Sequence, residues 1–88
     1  TIGSNVETLY HILDSRAEAL EFVIREESEV TGIPLMNLNL KNNLLIGCIN
    51  RGGNIKIARG QDCIQQGDTV IVLTSQKGLR DIRDILRK

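Results

Sequence analysis

The N-terminal segment of the chain has the apolar spacing of an amphipathic helix. Its apolar residues recur at intervals of three and four, and they are Val6, Leu9, Tyr10 and Leu13. Ser4 followed by Glu7 forms a capping-box pattern, in which each side chain pairs with a backbone N–H of the first helical turn. We therefore predict a helix that begins at Ser4, ends at Asp14-Ser15 and packs its apolar stripe against the rest of the domain.

From Ala17 the hydrophobic period shortens to two residues. Leu20, Phe22 and Ile24 share one face, and the residues between them take the other. This alternation is typical of a strand with one buried face. We predict such a strand from Ala17 onward.

The segment that follows is polar and contains turn residues. The run at 26–29 holds three glutamates, whose charges would be costly to bury. Gly32-Ile33-Pro34 then interrupts regular structure. We predict a surface loop here, followed by a short helical turn that contains Leu35 and Leu38.

Residues 44–58 have the pattern of a β-hairpin. The apolar run Leu44–Ile49 is too short for a typical helix and favours a largely buried strand. Gly52-Gly53 can adopt the positive φ angles of a tight turn. Ile55 and Ile57 then alternate with polar residues along a return strand.

The C-terminal third predicts one more strand and a closing helix. Thr69–Thr74 is β-branched at five of its six positions. Ser75 can cap a helix, and the apolar stripe expected on that helix consists of Leu79, Ile82 and Leu86. Charged residues at four-residue spacing are expected on its outer face, and they are Arg80, Asp84 and Lys88.

These elements together predict one small α+β domain. The connections are too short for several parallel crossovers, so we expect a mostly antiparallel sheet with flanking helices. Apolar residues make up 41% and charged residues 25% of the 88 residues, which fits a globular domain and argues against disorder.

Charge is unevenly distributed although the formal net charge is zero. Residues 1–44 hold seven acids and three bases, and residues 45–88 hold four acids and eight bases. This asymmetry fits either self-association or two differently charged solvated faces of a monomer. Zero net charge and only two aromatic residues argue against nucleic-acid binding. No apolar stretch approaches the roughly 20 residues of a membrane span, so we expect a cytoplasmic protein.

The residue types needed for catalysis or metal binding do not occur in a recognisable pattern. His11 lies among polar neighbours, which favours a solvated surface histidine over a catalytic base. We interpret Cys48 and Cys63 as buried small hydrophobic residues, with a disulfide as the alternative. Gly52-Gly53 lacks the following Lys-Ser/Thr of a phosphate loop. We therefore predict no enzyme activity, no metal site and no cofactor within this segment.

Four segments carry a further pattern, and they are Ala17–Phe22, Val30–Leu35, Leu44–Gly53 and Gly67–Val72. Gly60-Gln61-Asp62 lies between the last two. In this order and spacing they resemble the TrkA C-terminal domain family, also called RCK C-terminal domains. That family occurs in the peripheral subunit of Trk-type bacterial potassium uptake systems. The likeness covers almost the whole chain.

The resemblance implies a regulatory domain that forms a homodimer. Residues 1–16 would be a helix linking from an upstream domain, which fits a chain that starts at Thr1, and residues 17–88 would be the TrkA-C domain. The upstream domain would bind NAD(H) or an adenine nucleotide. Through the full-length protein, the assembly would dock on a TrkH-like membrane potassium-translocating subunit, at the inner face of the cell membrane.

Some members of this family bind cyclic di-adenosine monophosphate (cyclic di-AMP) between two C-terminal domains. By position, the resemblance nominates as ligand contacts Leu35, Met36, Lys41, Leu45 and Ile46. Lys41 stands where those binders have arginine and Leu45 where they have asparagine, and lysine does not reproduce the fork geometry of arginine. The alternative for the aliphatic members is ordinary core or dimer packing.

Three hypotheses for function follow. The leading one is a ligand-sensing, dimerising regulatory domain whose ligand shifts the balance between dimer arrangements. The second is a purely structural dimerisation domain that binds no small molecule. An enzyme fragment ranks last, because the sequence shows no reactive constellation.

Overall fold

The computed structural model describes residues 2–14 and 16–87, with side chains from residue 6 onward within those ranges. Its helix and strands are α1 (Ile2–Asp14), β1 (Glu18–Val23), β2 (Leu44–Arg51), β3 (Asn54–Ile57) and β4 (Thr69–Thr74). Short 3₁₀ helices span Leu35–Asn37 and Ile82–Ile85. The predicted α+β class, the helical turn after Pro34 and the β4 bounds are thus confirmed.

The strands form an antiparallel sheet in the order β1-β4-β2-β3. The most β-branched strand, β4, lies inside this order, and its Val70 and Val72 are fully buried. Val70 stands opposite Phe22 on β1 and opposite Ile49 on β2. The antiparallel pairing agrees with the prediction from the short connections.

The two faces of this sheet are covered to different extents. One face, the core face, packs against loops and both 3₁₀ helices, and its buried cluster consists of Ile24, Val30, Leu35, Leu44, Ile49, Ile64, Val70, Val72, Ile82 and Ile85. On the opposite face, the open face, Val23, Ile55 and Ile57 are at least half exposed. The core is therefore closed by irregular chain rather than by a helical layer.

A β-bulge at Gly47 decides which β2 side chains reach the core. The register with β4 shifts between Ile46 and Cys48, so β2 carries one extra residue. Leu44 and Ile49 both face the core, although their spacing is odd. A Cβ at position 47 would lie 3.4 Å from the Ile71 carbonyl oxygen and 3.7 Å from the Leu73 side chain, so this residue lies close against β4.

The hairpin turn follows the prediction. Gly52 and Gly53 have φ angles of 59° and 89°, a region that favours glycine. The Gly53 N–H donates to Asn50 Oδ1 at 3.1 Å. The two cysteines were predicted to be buried, but each is only partly buried, and both are free. The side chain of Cys48 projects on the open face of the sheet.

The packing predicted for α1 is wrong in one respect. The helix extends back to Ile2, so Ser4 lies within it, and the side chain of Ser4 falls outside the described residues. The buried residue is Ile12, whereas Val6, Tyr10 and Leu13 of the predicted stripe are more than half exposed. The helix contacts β2 with the Ile12 side, which leaves the apolar stripe uncovered.

The predicted closing helix is also wrong. After β4 the chain forms only the four-residue 3₁₀ helix Ile82–Ile85, which Asp81 caps, rather than a helix capped by Ser75. Gly78 has a φ of 80°, which is incompatible with helix continuation. Ile82 and Ile85 both pack in the core, and their three-residue spacing fits the period of a 3₁₀ helix. Lys88, predicted on its outer face, lies outside the described residues.

An ion pair between a buried carboxylate and a half-exposed guanidinium ties the hairpin to the loop before β4. Asp68 is 1% exposed and receives two hydrogen bonds from Arg51, Nε to Oδ1 and Nη2 to Oδ2, both at 2.9 Å. The Gln65 N–H donates to Oδ2 at 2.8 Å, and Arg51 Nη2 also reaches the Cys63 carbonyl oxygen. The hydrogen bond from Arg51 holds the pKa of Asp68 below its ordinary value despite burial.

Candidate functional site

Four of the five nominated residues meet in one groove beside β2. The groove encloses about 350 Å³, and its lining consists of Leu35, Met36, Leu40, Leu45, Ile46, Ala58, Arg59 and Gly60. Seven of these residues are uncharged, and the eighth is an arginine. We call this site the β2 groove.

The groove exists because β3 is shorter than β2. β3 pairs only with residues 48–51, so the first residues of β2 have β4 as their sheet neighbour and an open edge on the other side. Leu45 and Ile46 lie at this open end, on opposite faces of the sheet. The chain leaves β3 after Ile57, although the Ala58 N–H still donates to the Gly47 carbonyl oxygen at 3.0 Å.

A second wall comes from the 3₁₀ helix after Pro34. The Leu35 N–H donates to the Asp62 carbonyl oxygen at 2.8 Å, and the Met36 N–H donates to the Gly60 carbonyl oxygen at 3.0 Å. Leu35 is 8% exposed and belongs to the core, whereas Met36 is 69% exposed. Of these two nominated residues, Met36 is therefore the one a ligand can cover.

The third wall is the turn at residues 58–62. Asp62 Oδ2 accepts the Arg59 N–H at 2.7 Å, and Asp62 Oδ1 accepts from Lys56 Nζ at 2.8 Å. The hydrogen bond from Lys56, followed by that from the Arg59 N–H, lowers the pKa of Asp62. At Gly60 a Cβ would lie 3.3 Å from the Met36 Cβ, so glycine allows the close approach of the two walls.

Lys41, the fifth nominated residue, does not line the β2 groove. It lines a neighbouring hollow of about 540 Å³ together with Thr8 and His11 of α1, and the two cavities share Leu40 and Leu45. The Lys41 N–H donates to the Ile85 carbonyl oxygen at 2.8 Å. The structure thus separates the nominated cation from the aliphatic lining.

Sequence reasoning missed Arg59 and Gly60. The signal that could have found them is the Gly60-Gln61-Asp62 turn, because a glycine and an aspartate at that spacing are typical of a tight turn. The local sequence does not indicate that this turn lies beside Met36. The two backbone hydrogen bonds that join the turn to the 3₁₀ helix after Pro34 connect residues more than twenty positions apart.

A further cleft of about 370 Å³ lies between the outer edge of β1 and residues 80–83. Its lining mixes acids and bases, with Glu21 and Glu26 beside Arg80 and Arg83. Arg83 Nε is bonded to Asp81 Oδ2 at 2.7 Å, so part of this charge is already paired. None of the nominated residues reaches this cleft.

The lining of the β2 groove fits binding better than catalysis. Among its side chains there is no hydroxyl, thiol, imidazole or carboxylate that could act as nucleophile or general base. Within residues 2–14 and 16–87 no cluster of three or more potential metal ligands occurs. No helix of the described chain is both long and apolar enough to cross a bilayer. The lining offers apolar contact surface and one positive charge, that of Arg59.

Comparison with known proteins places these features in context. A family model described as the TrkA-C domain matches residues 19–87. The chain is 34% identical over 73 residues to a Trk system potassium uptake protein TrkA homolog of Pyrococcus abyssi, covering 82% of the chain and 32% of that protein. It is 36% identical over 76 residues to the Trk system potassium uptake protein TrkA of Haemophilus influenzae, covering 83% of the chain and 16% of that protein.

The third sequence comparison and a solved structure extend the pattern. TrkA homolog 1 of Methanosarcina mazei is 29% identical over 82 residues, covering 93% of the chain and 18% of that protein. The chain thus spans between a sixth and a third of these relatives. A solved RCK domain, described as "with cda", superposes with a TM-score of 0.57 at 22% identity, covering 67% of this chain and 81% of that one. That likeness concerns the fold.

Proposed function

The chain belongs to the TrkA-C domain family, and we propose that it is a non-catalytic, ligand-sensing and dimerising regulatory domain of a potassium uptake system. The ligand we propose for it is cyclic di-AMP, bound in the β2 groove. The observation that carries this proposal is the groove itself. Four of the residues nominated from sequence come from two separate segments and line one accessible cavity.

The size and lining of the β2 groove suit one half of a cyclic dinucleotide. Ligand pockets are typically about 300–1,000 Å³ and mostly apolar, with a few polar groups that fix orientation. At about 350 Å³ the groove is at the lower end of that range. An adenine ring would lie against Met36, Leu45 and Ile46. The second half of a two-fold symmetric ligand would then occupy the groove of a second copy.

Exposed apolar surface supports the proposal of a homodimer. Large apolar side chains that are at least half exposed in the described chain are Val6, Tyr10, Leu13, Val23, Met36, Ile55 and Ile57. Ile55 and Ile57 are neighbours on the open face of β3, and exposed apolar surface of this kind can be covered by a second copy. Met36 belongs both to the exposed set and to the β2 groove, so we expect the second copy to cover the proposed ligand there.

In the parent protein we expect an upstream domain that holds NAD(H) or an adenine nucleotide, and a TrkH-like membrane subunit as partner, at the cytoplasmic face of the membrane. The ligand would act by binding one dimer arrangement more tightly than another. A ligand shifts such an equilibrium only by its difference in affinity for the two states. Direct contact between ligand and both copies would provide that difference.

The alternative is a structural dimerisation domain that binds no small molecule. Leu35 favours it, because this nominated residue is a member of the core cluster and needs no ligand to explain its burial. An interface that fills the β2 groove with side chains of the second copy would leave no space for a nucleotide. The two proposals therefore differ in whether the dimer retains an empty groove.

Calorimetry on a dimer verified by light scattering distinguishes them. With cyclic di-AMP as titrant, the sensing proposal requires saturable heat at one ligand per two chains. Met36→Glu places a carboxylate in the groove at an exposed position and should abolish binding without unfolding the domain. Asn54→Glu, an exposed hairpin position outside the groove, is the matched control and should bind as wild type. A dimer that gives no heat at several temperatures favours the structural alternative.

A further inference from the structure

We propose that Arg59, rather than the nominated contact Lys41, is the phosphate-binding residue of the β2 groove. This inference rests on the proposed function, because it names the group that recognises the anionic part of that ligand. Arg59 lines the groove together with Met36, Leu45 and Ile46, whereas Lys41 lines the adjacent hollow.

The guanidinium of Arg59 is available to a ligand. Its side chain is exposed, and no hydrogen bond or ion pair joins it to an acceptor in the described part of the chain. The nearest carboxylate in the turn, Asp62, already accepts from Lys56 Nζ and from the backbone N–H of Arg59 itself. The Asp62 carboxylate is thus held by other donors.

The backbone that carries Arg59 is fixed before any ligand arrives. The Arg59 carbonyl oxygen accepts the Asp62 N–H at 2.9 Å, while Asp62 Oδ2 accepts the Arg59 N–H at 2.7 Å. The next residue, Gly60, accepts from the Met36 N–H on the opposite wall at 3.0 Å. A site whose walls are held in place loses less conformational entropy on binding. Asp62 is therefore a positioning residue for Arg59.

The chemistry of the lining favours a phosphate as the partner of Arg59. Guanidinium groups bind phosphate oxygens through two parallel hydrogen bonds, and a lysine ammonium acts as a point charge. No carboxylate lines the groove, and Asp62, whose charge also acts on Arg59, makes its hydrogen bonds with Lys56 Nζ and the Arg59 N–H. A molecule with a flat apolar ring joined to a phosphodiester meets both requirements.

Calorimetric titration of the whole chain with cyclic di-AMP tests this assignment. Arg59→Ala should weaken binding at least about tenfold, the loss expected for one charge-assisted hydrogen-bonding group. Arg59→Lys should recover only part of the affinity, because it restores the charge without the fork. Lys41→Ala is the matched control and should change affinity less than about threefold, as expected for a charge that lies outside the groove and makes no direct contact with the ligand.

Asp62→Asn adds a readout that a general loss of structure would not give. It keeps Arg59 but weakens the hold on its backbone, so it should lower affinity in the wild-type background and have no further effect once Arg59 is alanine. Equal melting temperatures of Arg59→Ala and wild type show that the fold is unchanged.

Three results overturn the assignment, and they are distinguishable. If wild type and Arg59→Ala bind equally well, Arg59 is not the phosphate contact, although the sensing proposal stands. A loss confined to Lys41→Ala returns that role to Lys41. If wild type itself takes up no cyclic di-AMP, both the proposed ligand and the assignment of Arg59 to it fail.

Discussion

Two aspartates bind basic residues of the β2–β3 hairpin, and they differ in what they hold. Asp68 is 1% exposed and accepts a two-pronged contact from Arg51, whereas the side chain of Asp62 is 13% exposed and accepts a single contact from Lys56. The first pair anchors the loop that enters β4 and the core. The second pair shapes the turn that borders the β2 groove. The same chemical motif thus stabilises the fold at one position and a surface at the other.

Burial explains the difference. A buried carboxylate that loses its partner keeps its desolvation cost, so removing one member of such a pair is strongly destabilising. A pair near solvent exchanges its contact for water at little cost. The comparison therefore predicts that disruption of the Asp68 pair is measured as lost stability, and disruption of the Asp62 pair as lost affinity.

The largest effect is expected for Asp68→Asn. The amide keeps only one acceptor oxygen, so it cannot accept all three hydrogen bonds that the buried carboxylate accepts from Arg51 and from the Gln65 N–H. The bonds that remain are no longer charge-assisted on the acceptor side, so the free energy of unfolding should fall by about 3 kcal/mol. That is a large share of the roughly 4–13 kcal/mol typical of a domain of this size. Urea unfolding followed by circular dichroism measures it. A loss no greater than that of Asp62→Asn would contradict the comparison.

The pH dependence of stability should show the same asymmetry. Because the hydrogen bond from Arg51 lowers the folded-state pKa of Asp68, its contribution is fully present above the unfolded value of about 3.9 and is lost as the pH falls through the folded value. Wild type should therefore lose stability below about pH 4, more steeply than Asp68→Asn. Unfolding midpoints from pH 2 to 7, compared as a difference curve, provide the test; parallel curves would refute it.

Arg51→Lys should have an intermediate effect. Lysine keeps the positive charge beside Asp68 but cannot reach both carboxylate oxygens and the Cys63 carbonyl oxygen at once, as the Arg51 guanidinium does. We expect a lower unfolding midpoint than wild type and a higher one than Asp68→Asn. If Arg51→Lys matched wild type, charge alone and not the fork would explain the contact.

The smallest effect on stability is expected for Lys56→Met. Lys56 is more than half exposed, so the melting temperature of the Lys56→Met variant should stay within about 2 °C of wild type. The affinity for cyclic di-AMP should nevertheless fall, because Asp62 then holds the Arg59 turn less firmly. Calorimetry and thermal unfolding on the same sample separate the two quantities. A change in stability with unchanged affinity would reverse the roles assigned to the two pairs.

Sequence patterns predicted the strands well because strand periodicity is local. The bounds of β4 and the glycine turn of the hairpin depend on residues a few positions apart. The prediction of a closing helix was wrong because its apolar residues also fit a 3₁₀ helix. The spacing of apolar residues also does not indicate that Gly78 adopts a positive φ angle. The packing predicted for the apolar stripe of α1 was wrong because periodicity identifies an apolar face but does not indicate which surface covers it.

The site was only partly predictable for a related reason. Met36, Leu45 and Ile46 were nominated by a resemblance that follows position in the chain. Arg59 lies in the groove because backbone hydrogen bonds join its turn to the distant segment at Leu35 and Met36. No local sequence pattern predicts those bonds. Lys41 was separated from the groove because its backbone pairs with Ile85, near the other end of the chain.

The bulge at Gly47 changes the alternation of side chains between the two faces of β2. Side chains of a strand alternate between its two faces, so one extra residue reverses the assignment for everything on one side of it. If β2 had no bulge and all its residues alternated regularly, Ile49 in the core would place Leu45 on the core face and Leu44 on the open face. The bulge therefore decides which of two neighbouring leucines supports the core and which lines the cavity.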